Sequence, residues 1–174
     1  NSSRIRCTLT DGRILDADVV AHDPLTDLSV LRLRAAAENR PGGAAASGDA
    51  RAGKVPPGLR PARLAVDAAV AIGDPVLALG NPFALSSSVT LGIVSNTRRV
   101  FTDFTGTRLE ELELEGEPTG LFTRWIQHDA LILPGNSGGP LVDLDGRIVG
   151  VNELGGAGVG FAIPAPLAQS VLEQ

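Results

Sequence analysis

Pro134-Gly135-Asn136-Ser137-Gly138-Gly139-Pro140 decides how this 174-residue chain is read. Glycine and proline crowd a single hydroxyl, so the segment is a tight turn with Ser137 at its tip. A serine that acts as a nucleophile needs this setting: an exposed oxygen, room for substrate, and backbone N–H groups converging where an oxyanion would form. The N–H groups of Gly135 and Ser137 are the expected donors, with Asn136 between them completing the candidate oxyanion hole. A glycine-rich hairpin carrying an idle serine is the plainer alternative.

Moving outward, the turn joins two apolar stretches. Ile126 to Leu133 precedes it and Leu141 to Asn152 follows, the latter broken at Asp143 to Gly146 by a turn. Period-two alternation and turn residues predict further strands at Arg63–Val66, Pro75–Leu79, Val89–Asn96, Phe122–Gln127, Gly139–Val142, Arg147–Asn152 and Val159–Ile163. Pro166 to Gln174 reads as a short terminal helix with Leu167, Val171 and Leu172 on its apolar side. Upstream, Ile5, Cys7 and Leu9 alternate with polar residues as a half-buried strand, which favours a buried Cys7 thiol. Asp11-Gly12 signals a hairpin, Ile14–Val20 is the second strand, and aliphatic-rich Leu28–Leu33 is a third, expected to be buried on both faces. Three strands leave an open sheet edge. Residues 35–61 carry no periodicity and read as a flexible connection, and Asp103–Gly120, with five glutamates, reads as a solvated insert.

Composition narrows the functional classes. With 21 glycines and 12 prolines the chain is too broken for a helical bundle, and 43% hydrophobic residues support a buried core. A net charge of −5 argues against nucleic acid as a partner. One cysteine and two histidines, His22 and His128, supply neither a disulfide framework nor a convincing metal site. No cofactor is expected. No apolar run reaches membrane-spanning length. The chain contains no Met and opens at Asn1 with strand-like sequence, which is the pattern of a piece of a longer product.

The segment Ile126-Gln127-His128-Asp129-Ala130 through Gly135-Asn136-Ser137-Gly138-Gly139 resembles the run around the catalytic serine of HtrA (Deg, Do-like) trypsin-like serine proteases. Asp23-Pro24-Leu25-Thr26-Asp27-Leu28-Ser29-Val30-Leu31 resembles the segment carrying their catalytic aspartate. Ile72 to Phe83, Val89 to Ser95, and Gly158-Val159-Gly160-Phe161-Ala162-Ile163-Pro164 match in the same order. The resemblance implies an all-β, trypsin-like double β-barrel. Its first barrel would be incomplete (residues 1–34, about three strands), its linker would span 35–61, and a six-stranded second barrel with the terminal helix would occupy 62–174.

It further implies a serine endopeptidase acting on unfolded polypeptides through a Ser-His-Asp acyl-enzyme mechanism, with Ser137 as nucleophile and Asp27 as the acid that orients the base. The histidine of that pattern precedes the strand matched by Arg4–Leu9 and would lie upstream of Asn1. His22 and His128 are not at the matching position and read as surface or half-buried turn residues, so the 174-residue piece alone is expected to be nearly inactive. An inactive pseudoprotease that keeps the cleft for docking is the alternative. By the same resemblance Leu131, Ile132 and Leu133 form the primary pocket, and Val151, Asn152 and Glu153 run beside the substrate as a pairing strand. No acid stands at the pocket base, which favours a small aliphatic side chain over Lys or Arg. Leu131 and Leu133 are greasier than is usual in the family. Relatives of this kind are commonly homotrimers with PDZ domains and work in periplasm, chloroplast or mitochondrion.

Overall fold

The computed structural model describes residues 5–34, 58–67, 69–82, 88–100 and 123–173, with the backbone at 113–114 and 117–118. The strands are β1 (Ile5–Thr8), β2 (Ile14–Asp23), β3 (Leu28–Leu33), β4 (Pro75–Gly80), β5 (Ser88–Arg99), β6 (Glu113–Leu114), β7 (Glu117–Pro118), β8 (Trp125–His128), β9 (Pro140–Val142), β10 (Ile148–Gly156) and β11 (Val159–Pro164), followed by helix α1 (Ala165–Leu172). The expected connection at 35–61 and the insert at 103–120 lie largely outside the described residues, as does Phe122.

The chain divides into two compact units. The first is an open sheet in the order β1-β2-β3. Its hairpin turns where Asp11-Gly12 predicts: Gly12 takes a left-handed φ of 83°, and its N–H donates to the Leu9 carbonyl at 3.0 Å. Leu15, Asp16 and Ala17 on the central strand are buried. β3 has the expected bounds but not the expected burial. It is an edge strand whose residues alternate between half-buried and exposed, with Leu31 facing solvent. Cys7, too, is half-buried rather than buried.

The second unit is a closed six-stranded barrel in the order β10-β11-β8-β5-β4-β9, with β9 pairing back onto β10. Closure removes the free edges that short strands would otherwise expose. Alternating residues point inward, and Val76, Ala78, Val94, Ile126, Ala130, Ile132, Leu141, Val149 and Ala162 form the core. Trp125, Phe161 and Ile163 make a second cluster, against which Leu28, Val151, Leu154 and Leu167 pack. Through Leu28, the turn Asp23–Leu28 groups with the barrel and not with the sheet that flanks it in sequence.

Two sequence expectations shrink. Arg63–Val66 forms no strand; it bridges β10 at Leu64 and Ile148, held by the Ala65 N–H to the Ile148 carbonyl and the Ile148 N–H to the Arg63 carbonyl, each at 2.8 Å, while Ala65 joins the buried core. On α1, Val171 is buried but Leu172 is exposed, so the apolar side is narrower than expected.

Candidate functional site

The turn ahead of β9 is clamped on three sides. Within it, the Asn136 N–H donates to the Leu133 carbonyl at 2.9 Å, and the Gly139 N–H to the Asn136 carbonyl at 2.9 Å. From β10, the Asn152 carbonyl accepts the Gly138 N–H at 2.7 Å while the Asn152 N–H reaches the Gly139 carbonyl at 2.8 Å. From the end of β4, the Asn81 N–H donates to the Gly135 carbonyl at 3.2 Å. That approach requires glycine: Gly135 has φ of 103°, and a Cβ there would stand 2.5 Å from the Asn81 carbonyl oxygen. The outcome is an exposed Ser137 on a fixed backbone.

The three residues of the expected oxyanion hole separate by role. Among the described residues, none of the turn's backbone hydrogen bonds engages the N–H groups of Gly135 or Ser137. Asn136 differs. Its N–H is committed to Leu133, and its side chain is buried, with Nδ2 donating to the Leu131 carbonyl at 3.4 Å. It anchors the turn from below.

Ser137 Oγ donates to the backbone carbonyl of Glu153 on β10 at 2.6 Å. Asp27 belongs to the same compact unit as Ser137 and Glu153. It sits at a left-handed φ of 53°, a conformation that aspartate tolerates better than most side chains. The turn is built by Asp23, whose carboxylate accepts from the Leu25 N–H at 3.1 Å and from the Thr26 hydroxyl at 3.0 Å, with Thr26 buried. Burial, and then the charge of Asp27, push the Glu153 carboxyl up to about 8. Ser137 thus meets Glu153 through the backbone of β10, and Asp27 acts on the same residue through its charge.

The other expected residues divide between surface and core. Leu131 is about half exposed, and its carbonyl accepts the Thr90 hydroxyl at 2.9 Å. Leu133 is partly buried. Ile132 is buried in the barrel's hydrophobic core. Val151 packs on the Trp125 cluster. The Asn152 backbone is already spent on Gly138 and Gly139, so it braces the nucleophile turn instead of offering a free edge to a substrate.

Among the described residues, neither histidine shares a hydrogen bond with Ser137. The exposed His22 shares a hydrogen bond between Nδ1 and Ser29 Oγ at 2.9 Å. His128, expected near the surface, is fully buried on β8. Its ring lies where a Gly160 side chain would be: a Cβ on Gly160 would come within 2.3 Å of His128 Cε1. Burial holds this imidazole below its ordinary range despite the Asn152 carboxamide alongside, and neither ring nitrogen closes a hydrogen bond among the described residues.

Sequence reasoning missed the buried states of Glu153 and His128. Gly160, opposite His128 in register, carries a signal for the latter, since a glycine in a strand marks a close approach. For Glu153 the sole hint is its position between Asn152 and the Leu154-Gly155-Gly156 run.

A family model described as a trypsin-like peptidase domain matches residues 1–151. Periplasmic serine endoprotease DegP of Salmonella typhimurium is 34% identical over 180 residues, covering 100% of this chain and 30% of the relative. Protease Do-like 1, chloroplastic, of Arabidopsis thaliana is 34% identical over 180 residues, covering 99% of this chain and 34% of the relative. Among solved structures, the serine endoprotease from Yersinia pestis superposes with a TM-score of 0.70 at 32% identity, covering 99% of this chain and 48% of that one. The chain spans about a third of the length of these curated relatives.

Proposed function

Because the chain belongs to the HtrA/Deg group of trypsin-like serine proteases, we propose that it is the serine-bearing portion of an endopeptidase that cleaves unfolded or damaged polypeptides. One observation carries this reading: an exposed Ser137 sits on a clamped turn, with the amides of Gly135 and Ser137 in no backbone hydrogen bond among the described residues. In the proposed reaction a base takes the Ser137 proton as Oγ leaves the Glu153 carbonyl and attacks the peptide carbonyl. The two amides stabilise the oxyanion; the C–N bond breaks as the base hands its proton to the leaving amine, and water deprotonated by the same base then attacks the acyl-enzyme, releasing the acid product and restoring the Ser137 hydroxyl. Asp27 orients the base and stabilises its charged form.

The base is a histidine contributed from outside residues 1–174, since His22 is bonded to Ser29 and His128 is sealed in the barrel. On this reading the 174-residue piece by itself is inert. Half-exposed Leu131, with no acid beside it in the run Ala130-Leu131-Ile132-Leu133, favours a small aliphatic side chain at the cleavage site. The periplasmic and chloroplastic relatives support a compartment outside the cytosol.

Incubating the full-length protein with unfolded casein tests the proposal. Cleavage is expected, with native casein-free controls stable. Casein that is bound yet remains intact would instead make the cleft a docking site.

A further inference from the structure

His128 closes β8, and none of its surface reaches solvent. Both ring nitrogens are buried without a hydrogen-bond partner among the described residues. The ring fills the place that Gly160 leaves on β11: a Cβ there would stand 2.3 Å from Cε1, 2.8 Å from Nε2 and 2.9 Å from Nδ1. Its register partners are this glycine and, on β5, Val94, so neither neighbouring strand sets a polar side chain opposite it.

From His128 the chain runs straight into the site. The Asp129 N–H donates to the Ile93 carbonyl at 3.3 Å, and the Asp129 carboxylate accepts the Ile93 N–H at 2.6 Å. Two residues on, the Leu131 carbonyl accepts from Asn136 Nδ2 at 3.4 Å, and the Leu133 carbonyl accepts the Asn136 N–H at 2.9 Å. The nucleophile turn thus hangs from the segment that His128 seals into the barrel wall. An imidazolium in that place would lose its hydration and gain no hydrogen bond in return, a cost the fold avoids by opening. We propose that His128 is an acid-sensitive latch: neutral, it holds β8 closed over Gly160 of β11, and its protonation opens that seam and releases the turn that carries Ser137. The consequence for activity rests on the reading of Ser137 as the nucleophile; the latch itself does not.

Few ionisable groups surround it. Asp129 follows it and favours the charged form, Arg98 and Arg99 stand toward the far end of β5, where Arg99 pairs with Trp125, and Glu153 lies on β10. β11 carries none. Burial outweighs Asp129, the Asn152 carboxamide and the Ala130 backbone, and holds the imidazole below its ordinary 6.5. A base lowered on folding gives stability that is complete above 6.5 and is lost as pH falls below it. Glu153 runs the other way: its carboxyl, pushed up to about 8, gives stability that grows toward acid. The difference between proteins with and without His128 therefore isolates the latch.

The test uses the full-length protein carrying Ser137→Ala, which prevents self-cleavage, and adds His128→Gln or His128→Phe to it. Neither replacement titrates. The melting temperature of the protease domain is followed from about pH 7.5 to 5. With His128 present, stability should fall relative to both variants below 6.5, by up to tenfold in the folding equilibrium per pH unit, a shift of a few degrees. Hydrogen exchange, corrected for its intrinsic rate, should show residues 126–139 losing protection at acid pH with His128 present and keeping it in the variants. β1, β2 and β3 should not change in step. Melting curves that stay parallel across pH overturn the latch, and so does exchange at 126–139 that ignores pH while His128 is in place. The exchange arm needs no variant and decides even where both replacements fail to fold. A latch that opens in a protein that leaves casein intact would stand while the endopeptidase reading falls.

Discussion

Ser137→Ala in the full-length protein is expected to lower kcat on unfolded casein by on the order of 10⁵- to 10⁶-fold, the usual consequence of deleting a nucleophile from a serine–histidine–aspartate site. The reasoning is local. The change removes one exposed oxygen whose described bond goes to the Glu153 carbonyl, and it leaves the backbone clamp from Asn81, Leu133 and Asn152 in place. The fold should survive, so the denaturation midpoint should barely move while activity disappears. Casein cleavage that persists in this variant at more than a hundredth of the wild-type rate would remove Ser137 from the reaction.

Asp27→Asn comes next in size, at about 10⁴-fold in kcat, because an orienting carboxylate fixes both the tautomer and the charge of its base. Asparagine is the informative replacement. Asp27 adopts a left-handed backbone, which asparagine also tolerates, and the turn itself is held by Asp23 through Leu25 and Thr26. The substitution therefore removes charge without straining the chain. Unchanged circular dichroism with a fall of several orders in kcat is the expected pair of results. A loss smaller than tenfold would mean that Asp27 serves the turn and not the chemistry.

The barrel was legible because its signals are local. Val76 and Ala78 alternate with Leu77 and Leu79 between a Gly-Asp-Pro start and a Gly-Asn-Pro stop, and the strand formed there as Pro75–Gly80. The nucleophile turn was legible for a related reason: glycine and proline dictate backbone geometry whatever surrounds them. What failed depended on partners distant in sequence. Leu28–Leu33 had the right bounds, but composition cannot say that a strand will stand at a sheet edge. Arg63–Val66 had the right pattern and found one bridging neighbour.

Among the site residues, His128 was misjudged because polarity argues for solvent, while its burial depends on the space that Gly160 leaves across the ladder. Glu153 was placed on a strand running along the substrate. The register shift against β11 makes it the extra residue of a bulge with buried carboxyl oxygens, and no spacing within β10 announces a bulge. Ile132 alternates into the core.

The most direct measurement is active-site labelling by a fluorophosphonate, with the modified residue located by mass spectrometry. The account predicts a stoichiometric adduct on Ser137 of the full-length protein and little or none on the 174-residue piece, which carries the hydroxyl and its flanking amides but no base. An adduct elsewhere, or no adduct on Ser137 in a preparation that still cleaves casein, would contradict it.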